Sequence, residues 1–252
     1  MRYAWVDVEG YLQEHGVSGV KAALVRWNMR RFRAWDLKTN ASIDRFVANG
    51  RNVADRIREF YGHDAEVLHP PVDPQRFPMH TGARSGFISV SRIVPYKRID
   101  RIIDAFRSMP DQTLTIIGEG PHRPQLQRSA PANVHFTGHL SQAELTTCFQ
   151  HAKALICAAE EDLGLTPVEA QACGTPVIAL DRGGYRETVT DGVSGVLFGD
   201  PDPGSIRQAV QHFLRMDDRF SPERLRALAE PFFLQHFRAR MTTIVNGTMI
   251  HA

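Results

Sequence analysis

The sequence predicts an α/β protein in which helices cover a parallel sheet. From residue 86 onward, short β-branched and apolar runs alternate with amphipathic segments and turn residues, the rhythm typical of such a sheet. The 252 residues are 42% hydrophobic and 23% charged, a composition typical of a globular chain with one large core or two small ones. By length and rhythm, residues 81–220 are expected to form a complete Rossmann-like domain.

The predicted elements of this region follow one another in a regular order. Strands are expected at 86–91, 113–118, 133–138, 154–159, 176–180 and 195–198. Helices are expected at 99–109, 121–128, 141–150, 166–173, 185–190 and 203–216. The first of these helices carries one apolar stripe, because Ile99, Ile102 and Phe106 recur at helical spacing. The third opens with the capping-box signature Ser141-Gln142-Ala143-Glu144.

The regions on either side of this domain contain too few predicted elements to form a second complete domain. The patterns at 45–48, 52–61 and 66–69 indicate a strand, a helix and a strand, and Pro70-Pro71-Val72-Asp73-Pro74 is stiff enough to link two domains. Two closing helices are expected over 221–250. We therefore expect an N-terminal remnant at 1–80, a sheet domain at 81–220 and closing helices at 221–252.

The net charge and the cysteine content limit which partners and which cellular compartment are expected. The net charge of +2 is too small to indicate nucleic acid as a partner. The three cysteines form no CxxC pair, which argues against a disulfide framework and a zinc site. The longest apolar run, 154–159, is far below the ~20 residues that span a bilayer, and the start lacks a secretory h-region. A cytoplasmic protein is expected.

Residues 21–61 carry a local basic excess with Trp27, Phe32 and Trp35 interleaved among the cations. One interpretation is a solvated helix face whose apolar side is packed, and the other is a peripheral contact with anionic headgroups on the inner membrane surface. We favour the solvated face, because such patterns are weak indicators of lipid binding.

The segment 160–177 carries the chemistry, because it follows the strand 154–159 and so lies at a carboxyl edge of the sheet, where open α/β folds bind ligands. Thr166 is expected as the N-cap of a short helix, with Pro167 next and Gly174 beyond its end. The amides at its start can receive a phosphate. Glu161 precedes this helix and Glu169 lies one turn inside it, so the two carboxylates can flank one ligand. Alternatively, Thr166 and Glu169 form a capping box that needs no ligand.

This segment resembles the donor-binding signature of GT-B glycosyltransferases of family 4, the glycosyl transferases group 1, in which two glutamates eight positions apart bracket a Gly-hydrophobic-Thr/Ser-Pro turn. Five further signatures occur in family order: Ser91-Arg92-Ile93-Val94-Pro95-Tyr96-Lys97-Arg98, Ile117-Gly118-Glu119-Gly120-Pro121, Phe136-Thr137-Gly138-His139-Leu140, Gly183-Gly184-Tyr185-Arg186-Glu187 and Asp191-Gly192-Val193-Ser194-Gly195. Within the family the chain most resembles GDP-mannose-dependent mannosyltransferases, partly through Met1-Arg2-Tyr3-Ala4-Trp5 and Arg33-Ala34-Trp35-Asp36.

The resemblance implies a role for each matched residue. Arg92 and Lys97 would hold the diphosphate of a nucleoside diphosphate sugar, although either alone could be ordinary surface charge. Glu161 would contact the transferred hexose, and Glu169 would accept hydrogen bonds from the ribose. Donor binding would also use the backbone at four positions: Gly118, Gly120, Leu165 and Thr166. The two glycines would let the chain pass close to the nucleotide, or would simply form a strand-to-helix turn.

The resemblance implies retaining transfer of a hexose, mannose in the mannosyltransferases named above, to a glycan or lipid-linked acceptor, without a metal or other cofactor. The implied GT-B architecture pairs this Rossmann-like donor domain with a second, acceptor-side Rossmann-like domain. Only about eighty residues precede the donor domain, against ~100–150 for a typical domain, so an N-terminal truncation is expected, and His15 lies in no matching motif.

Four alternatives remain. A catalytically inert nucleotide-sugar-binding fragment is the main one, and a sugar-nucleotide epimerase is disfavoured because the glutamate-bracketed turn belongs to the transferases. An NAD site is disfavoured because Arg123 stands where the fingerprint's third glycine belongs. Asp200-Pro201-Asp202 imitates the metal-binding carboxylates of other transferases but is better explained as turn chemistry.

Overall fold

The computed structural model describes residues 2–14, 16–216 and 219–249, so His15 and the chain end predicted as part of the closing helices lie outside the described residues. The strands are β1 (Phe46–Ala48), β2 (Ala65–Val67), β3 (Phe87–Val90), β4 (Leu114–Ile117), β5 (Val134–Gly138), β6 (Ala154–Cys157), β7 (Val177–Leu180) and β8 (Gly195–Phe198). The helices are α1 (Arg2–Trp5), α2 (Val8–Glu14), α3 (Gly19–Thr39), α4 (Arg51–Tyr61), α5 (Ile99–Arg107), α6 (Arg123–Ser129), α7 (Gln142–His151), α8 (Leu165–Ala172), α9 (Tyr185–Thr188), α10 (Pro203–Leu214), α11 (Pro222–Ala229) and α12 (Leu234–Met249).

The six strands predicted after residue 86 form one parallel sheet in the order β5-β4-β3-β6-β7-β8. This is the order of a doubly wound Rossmann fold, in which the direction of winding reverses between the first and fourth strands of the domain, here β3 and β6. The predicted α/β class and the Rossmann-like sheet are confirmed. β6 and β7 are buried along their whole length, which explains why their sequences are continuous apolar runs without alternation.

Aromatic side chains fasten helices to one face of this sheet. Phe87 of β3 meets Phe106 of α5 and Phe213 of α10, with ring centroids 5.5 and 6.0 Å apart. Phe213 in turn stacks on Phe220 at 5.3 Å. All four are buried, and each such side chain stabilises the fold by about 1.5–3 kcal/mol. The apolar stripe predicted for α5 therefore packs into the core.

Two predicted helix starts have the expected chemistry. At α7 the backbone amide of Ser141 donates to Glu144 Oε2 at 2.8 Å, and the reciprocal bond completes the capping box. At α10, Asp202 accepts from the amides of Gly204 and Ser205 at 2.8 and 3.1 Å. Asp200 instead pairs with an arginine 18 residues upstream. The carboxylates of Asp200-Pro201-Asp202 thus serve the turn and the helix start.

The N-terminal part holds a second, two-stranded parallel sheet of β1 and β2 with α4 against it. Before β1 lie three helices, of which the sequence indicated only the one in the basic segment, α3. The two short signatures at the N terminus meet there, because Trp5 Nε1 donates to Asp36 Oδ2 at 2.8 Å. Tyr61 donates to the same oxygen at 2.6 Å, and Arg33 donates to the carbonyl of Ala4. This cluster fastens α1 to α3 and α4.

The structure bears on two expectations for the N-terminal part. The apolar surface of the basic segment is packed only in part: Ala22 is buried and Val25, Met29 and Phe32 are half-buried, whereas four further apolar side chains of α3 are exposed, namely Val20, Leu24, Trp27 and Trp35. The proline-rich stretch expected as a linker is bonded to the C-terminal segment: the amide of Val72 donates to the carbonyl of residue 232 at 2.8 Å, and the carbonyl of Val72 accepts from residue 234 at 3.0 Å. Within residues 2–14, 16–216 and 219–249, no helix combines the length and hydrophobicity needed to cross a bilayer.

Candidate functional site

The candidate site lies where the strand order reverses. β3 and β6 are neighbouring parallel strands, and the chain that follows each one leads to a strand on the opposite side of the pair. Such a switch point opens a crevice at the carboxyl ends of the two strands. A cavity of about 250 Å³ occupies it, and we call it the switch-point cavity. Its lining consists of Asn49, Pro70, Ser89, Val90, Ser91, Lys97, Ile99, Ile156, Cys157, Ala158, Ala159, Glu161, Asp162, Leu163, Gly164, Leu165, Thr166 and Tyr185. The predicted residues Lys97, Glu161, Leu165 and Thr166 therefore share one cavity.

Lys97 and Glu161 are bonded to each other in this cavity. The Lys97 ammonium donates to Glu161 Oε1, and the two side chains are 20% and 21% exposed. Partial burial strengthens the pair relative to a surface ion pair. A cation and a carboxylate thus stand side by side, able to meet a phosphate and a sugar hydroxyl respectively.

The backbone of Glu161 is fixed by the glycines of the Gly183-Gly184 motif. The amide of Gly184 donates to the Glu161 carbonyl at 2.8 Å. A Cβ at Gly183 would lie 2.4 Å from that same carbonyl oxygen, and a Cβ at Gly184 would lie 2.2 Å from the Cα of Leu163. Only glycine permits this approach, which gives the motif a role in positioning Glu161.

A second cavity, of about 580 Å³, adjoins the first. We call it the glycine-loop cavity, and it is lined by Val90, Ser91, Arg92, Ile117, Gly118, Glu119, Gly120, His139, Leu140 and Leu145. Val90 and Ser91 line both cavities. Arg92 is exposed here, and its guanidinium makes no ion pair within the part of the chain that the structure describes. An elongated ligand can therefore extend from Lys97 past Arg92 along the carboxyl end of β3.

Gly118 and Gly120 are required by the protein backbone itself. A Cβ at Gly118, whose φ is +134°, would lie 2.0 Å from the carbonyl oxygen of Ser91, and a Cβ at Gly120 would lie 2.2 Å from that of Ile93. The amide of Ile93 also donates to the Glu119 carbonyl at 2.8 Å. The glycines thus hold the loop after β4 against the loop after β3, and this packing shapes the cavity that they line.

The start of α8 differs from the prediction. The N-cap is Gly164, with φ +79°, and the helix begins at Leu165, so Thr166 is not the N-cap. A Cβ at Gly164 would lie 2.4 Å from Cε1 of Tyr185, so close packing against that ring favours glycine here. Leu165 and Thr166 hold the first two helical positions, whose amides have no intrahelical acceptor. Gly174 follows the end of the helix with φ +76°, as predicted.

Glu169 is not part of a capping box, since the helix starts too early for that arrangement. Its carboxylate is half-buried and accepts no hydrogen bond from any residue in the described ranges. Burial raises the pKa of Glu169, and the positive charge of Arg76 opposes part of that rise. Glu169 lines neither of the two cavities, so only Glu161 of the two glutamates faces the switch point directly.

A third cavity reaches the same carboxylate from the N-terminal part of the chain. It shares Ala158, Glu161 and Asp162 with the switch-point cavity and includes Asp7. We call it the acidic cavity, and its lining consists of Asp7, Tyr96, Arg98, Ala158, Glu160, Glu161, Asp162, Leu180, Arg182 and Pro201. Glu161 therefore stands between two cavities.

Sequence reasoning missed the residues that join the N-terminal part to the site. Glu187 accepts from the amides of Arg51 and Asn52 at 2.8 and 3.1 Å, and lies 3.2 Å from His69 Nε2. Glu187 thus caps α4 from a position 136 residues away in the chain. Asp162, beside Glu161, forms an ion pair with Arg56 of the same helix. The sequence signal for Glu187 was its place in the Gly183-Gly184 motif. No local pattern, however, predicts that this glutamate contacts α4.

The comparisons with known proteins agree with this architecture. The family model described as glycosyl transferases group 1 matches residues 81–230. The chain is 31% identical to the GDP-mannose-dependent alpha-(1-6)-phosphatidylinositol monomannoside mannosyltransferase of Mycolicibacterium smegmatis, in an alignment that covers 79% of this chain and 59% of that protein. It is 30% identical to the D-inositol 3-phosphate glycosyltransferase of Mycobacterium bovis, over 69% of this chain and 41% of that protein.

Solved structures share the fold at low sequence identity. Sucrose-phosphate synthase from Thermosynechococcus elongatus superposes with a TM-score of 0.75 at 17% identity, covering 98% of this chain and 77% of that one. Anabaena Alr3699/HepE in complex with UDP-glucose gives 0.70 at 20% identity, covering 80% and 63%. The chain spans only part of the length of the curated relatives named above. The match over residues 81–230 nevertheless settles membership: the chain belongs to the glycosyl transferases group 1 family.

Proposed function

We propose that this chain carries the donor-binding part of a retaining hexosyltransferase that moves mannose from GDP-mannose to a glycan or lipid-linked acceptor. The observation that carries the proposal is the Lys97–Glu161 pair at the switch point, beside the start of α8. The choice of mannose and of the guanine nucleotide is supported by the name of the mannosyltransferase that is 31% identical.

In this proposal the diphosphate spans the two adjoining cavities. Lys97 lies on one side of the shared residues Val90 and Ser91, and Arg92 lies on the other. As the bond between the sugar C1 and the phosphate oxygen breaks, the leaving diphosphate gains negative charge, which these cations and the amides of Leu165 and Thr166 would stabilise. We infer that this set of charges lets the diphosphate leave without a metal, so chelator should not change turnover.

The two glutamates have different tasks. Glu161 would accept hydrogen bonds from the hexose hydroxyls once the donor phosphate draws Lys97 toward itself. Glu169, which accepts no hydrogen bond from a residue in the described ranges, would accept from the ribose. The acceptor hydroxyl would approach through the acidic cavity, because that cavity shares Glu161 and Asp162 with the donor cavity.

Titration calorimetry with GDP-mannose tests the donor assignment. Lys97→Ala should weaken binding by about 1–3 kcal/mol, the range for a lost charged hydrogen bond. The matched control is Lys153→Ala, which removes a lysine just before β6, at the opposite end of the strand from the site. The affinity for UDP-glucose, compared with that for GDP-mannose, tests which donor is preferred. The affinity for free GDP shows how much the sugar contributes to binding. Unchanged affinity in Lys97→Ala would overturn the role given to Lys97.

A second candidate is a nucleotide-sugar-binding protein that does not turn over alone. This candidate is supported by the length of the match, because the alignments cover only 59% and 41% of the two relatives. Mass spectrometry of a mixture of the chain, GDP-mannose and lipid or glycan acceptors separates the two: transferred mannose supports the enzyme, whereas binding without transfer supports the second candidate.

A further inference from the structure

Helix α3 presents an apolar stripe to solvent. Val20, Leu24, Trp27 and Trp35 are 87%, 57%, 47% and 59% exposed. Their spacing of four, three and eight residues places all four side chains on one face of the helix. Ala22 is the buried residue of α3, and the helix packs against α1 and α2 with its other side. The stripe therefore faces away from the rest of the described chain.

The same face is strongly basic. Arg31 falls within the stripe, with its guanidinium 4.8 Å from the ring centroid of Trp27, and Lys38 continues the line. Lys21 and Arg30 flank it, and all four cations are exposed. The acidic residue of α3, Asp36, points to the opposite side, where it accepts from Trp5 and Tyr61. Exposed tryptophan and cationic side chains thus alternate along one face that carries no acid.

We propose that this face of α3 binds the surface of an anionic lipid bilayer, with the helix lying parallel to it. Tryptophan and leucine side chains enter the boundary between headgroups and acyl chains, while lysine and arginine reach the phosphates. Charge complementarity favours lipid over a protein partner, because Arg31 inside the stripe would need a carboxylate partner if another protein buried it. A headgroup layer supplies an anion to every cation at once.

This inference does not depend on the proposed function, because it uses none of the residues in the switch-point, glycine-loop and acidic cavities. Membrane binding by α3 would nevertheless be compatible with a lipid-linked acceptor in the proposed function. α3 leads through the Trp5–Asp36–Tyr61 cluster to α4, whose first amides are held by Glu187 beside the site. A bilayer bound by α3 would therefore be connected to the site through α4.

Vesicle sedimentation of the whole chain tests the proposal. Vesicles of phosphatidylcholine with about 30% phosphatidylglycerol should carry the protein down, and vesicles of phosphatidylcholine alone should not. Raising the salt from ~0.15 M to ~0.5 M should release most of the protein, because the screening length shortens. Tryptophan fluorescence should shift to the blue on binding, as the exposed indoles leave water.

Matched variants assign the effect to α3. Arg30→Glu with Arg31→Glu should lower the bound fraction about fivefold or more, and Trp27→Ala with Trp35→Ala should lower it and remove most of the fluorescence shift. Arg128→Glu with Arg224→Glu reverses two exposed cations on α6 and α11 and should bind like the unaltered chain. Circular dichroism verifies folding of each variant. Equal binding to both vesicle types, normal binding of the Arg30/Arg31 variant, or self-association through this face without vesicle binding would each overturn the proposal.

Discussion

At the scale of single residues, helix α8 contains a carboxyl group that the protein stabilises poorly. Glu169 is half-buried, accepts no hydrogen bond from any residue the structure describes, and has a raised pKa because burial disfavours its charged form. The folded chain therefore holds the neutral form more readily than the unfolded chain does. Above the ordinary pKa of a glutamate this shift costs stability, and in the proposed function the hydroxyls of a bound ribose would offset that cost.

Glu169→Gln should therefore raise the melting temperature at neutral pH while weakening donor affinity. The amide removes the buried charge, so the stability gain should vanish as the pH falls below the ordinary pKa of a glutamate, where both forms are neutral. Calorimetric melting at several pH values measures the first effect, and titration with GDP-mannose measures the second. Tighter donor binding by Glu169→Gln would contradict the role of ribose acceptor.

At the scale of elements, the site depends on loops that touch backbone to backbone. The loop after β4 lies against the loop after β3, and glycine is needed at the contact because any Cβ would overlap a carbonyl oxygen. In the N-terminal part, by contrast, the helices are joined by side chains, with Asp36 as the shared acceptor of Trp5 and Tyr61. These two kinds of contact predict different responses to substitution.

Gly118→Ala should destabilise the fold by about 1–3 kcal/mol, since the added methyl must displace the Ser91 carbonyl and the φ of +134° disfavours a side chain. Gly199→Ala is the matched control, because a Cβ there meets nothing within 4 Å. Urea unfolding of both variants compares them. If the two lost equal stability, the close approach of the loops would not be the cause.

Tyr61 should make the N-terminal helices sensitive to alkaline pH. Burial, followed by the hydrogen bond to Asp36, raises the pKa of Tyr61 to about 12, against ~10 in an unfolded chain. Its contribution to stability is fully present below pH ~10 and is lost as the pH rises through about 12, because the unfolded state ionises first. Tyr61→Phe should show a shallower fall in unfolding free energy over this interval. An unchanged slope would show that the hydroxyl titrates equally in both states.

At the scale of the whole molecule, one carboxylate joins the N-terminal part to the domain of the six-stranded sheet. Glu187 has a side chain that is 9% exposed, and it accepts from two amides at the start of α4. It follows the glycines that hold Glu161, so the position of α4 and the position of the site carboxylate are linked through a few residues. A change in the position of α4 should therefore change the position of Glu161.

Glu187→Ala should release the start of α4, at a cost of about 0.5–2 kcal/mol for a lost helix cap. Hydrogen exchange followed by mass spectrometry should show faster exchange at residues 51–54 as well as near the substitution. Glu223→Ala is the control, since that exposed carboxylate bonds within its own helix start. Faster exchange confined to residues near 187 would show that the two parts are not coupled there.

Local sequence pattern was enough to predict the strands and helices of the six-stranded domain and the charged residues that follow its strands. Strand and helix periodicity is local, so the six strands of the large sheet and the stripe on α5 could be predicted from spacing alone. The order of the signatures also indicated the family. Local pattern failed at the start of α8, where the left-handed backbone of Gly164 begins the helix before Thr166.

Which distant residues meet depends on how the elements pack against one another. The Lys97–Glu161 pair, the hydrogen bond from Trp5 to Asp36 and the capping of α4 by Glu187 join positions 64, 31 and 136 residues apart. The stripe on α3 has the same periodicity whether it is packed or exposed, so only the arrangement of its neighbours reveals that it faces solvent. Periodicity records which side of an element is apolar, whereas the strand order and the helix packing decide what that side touches.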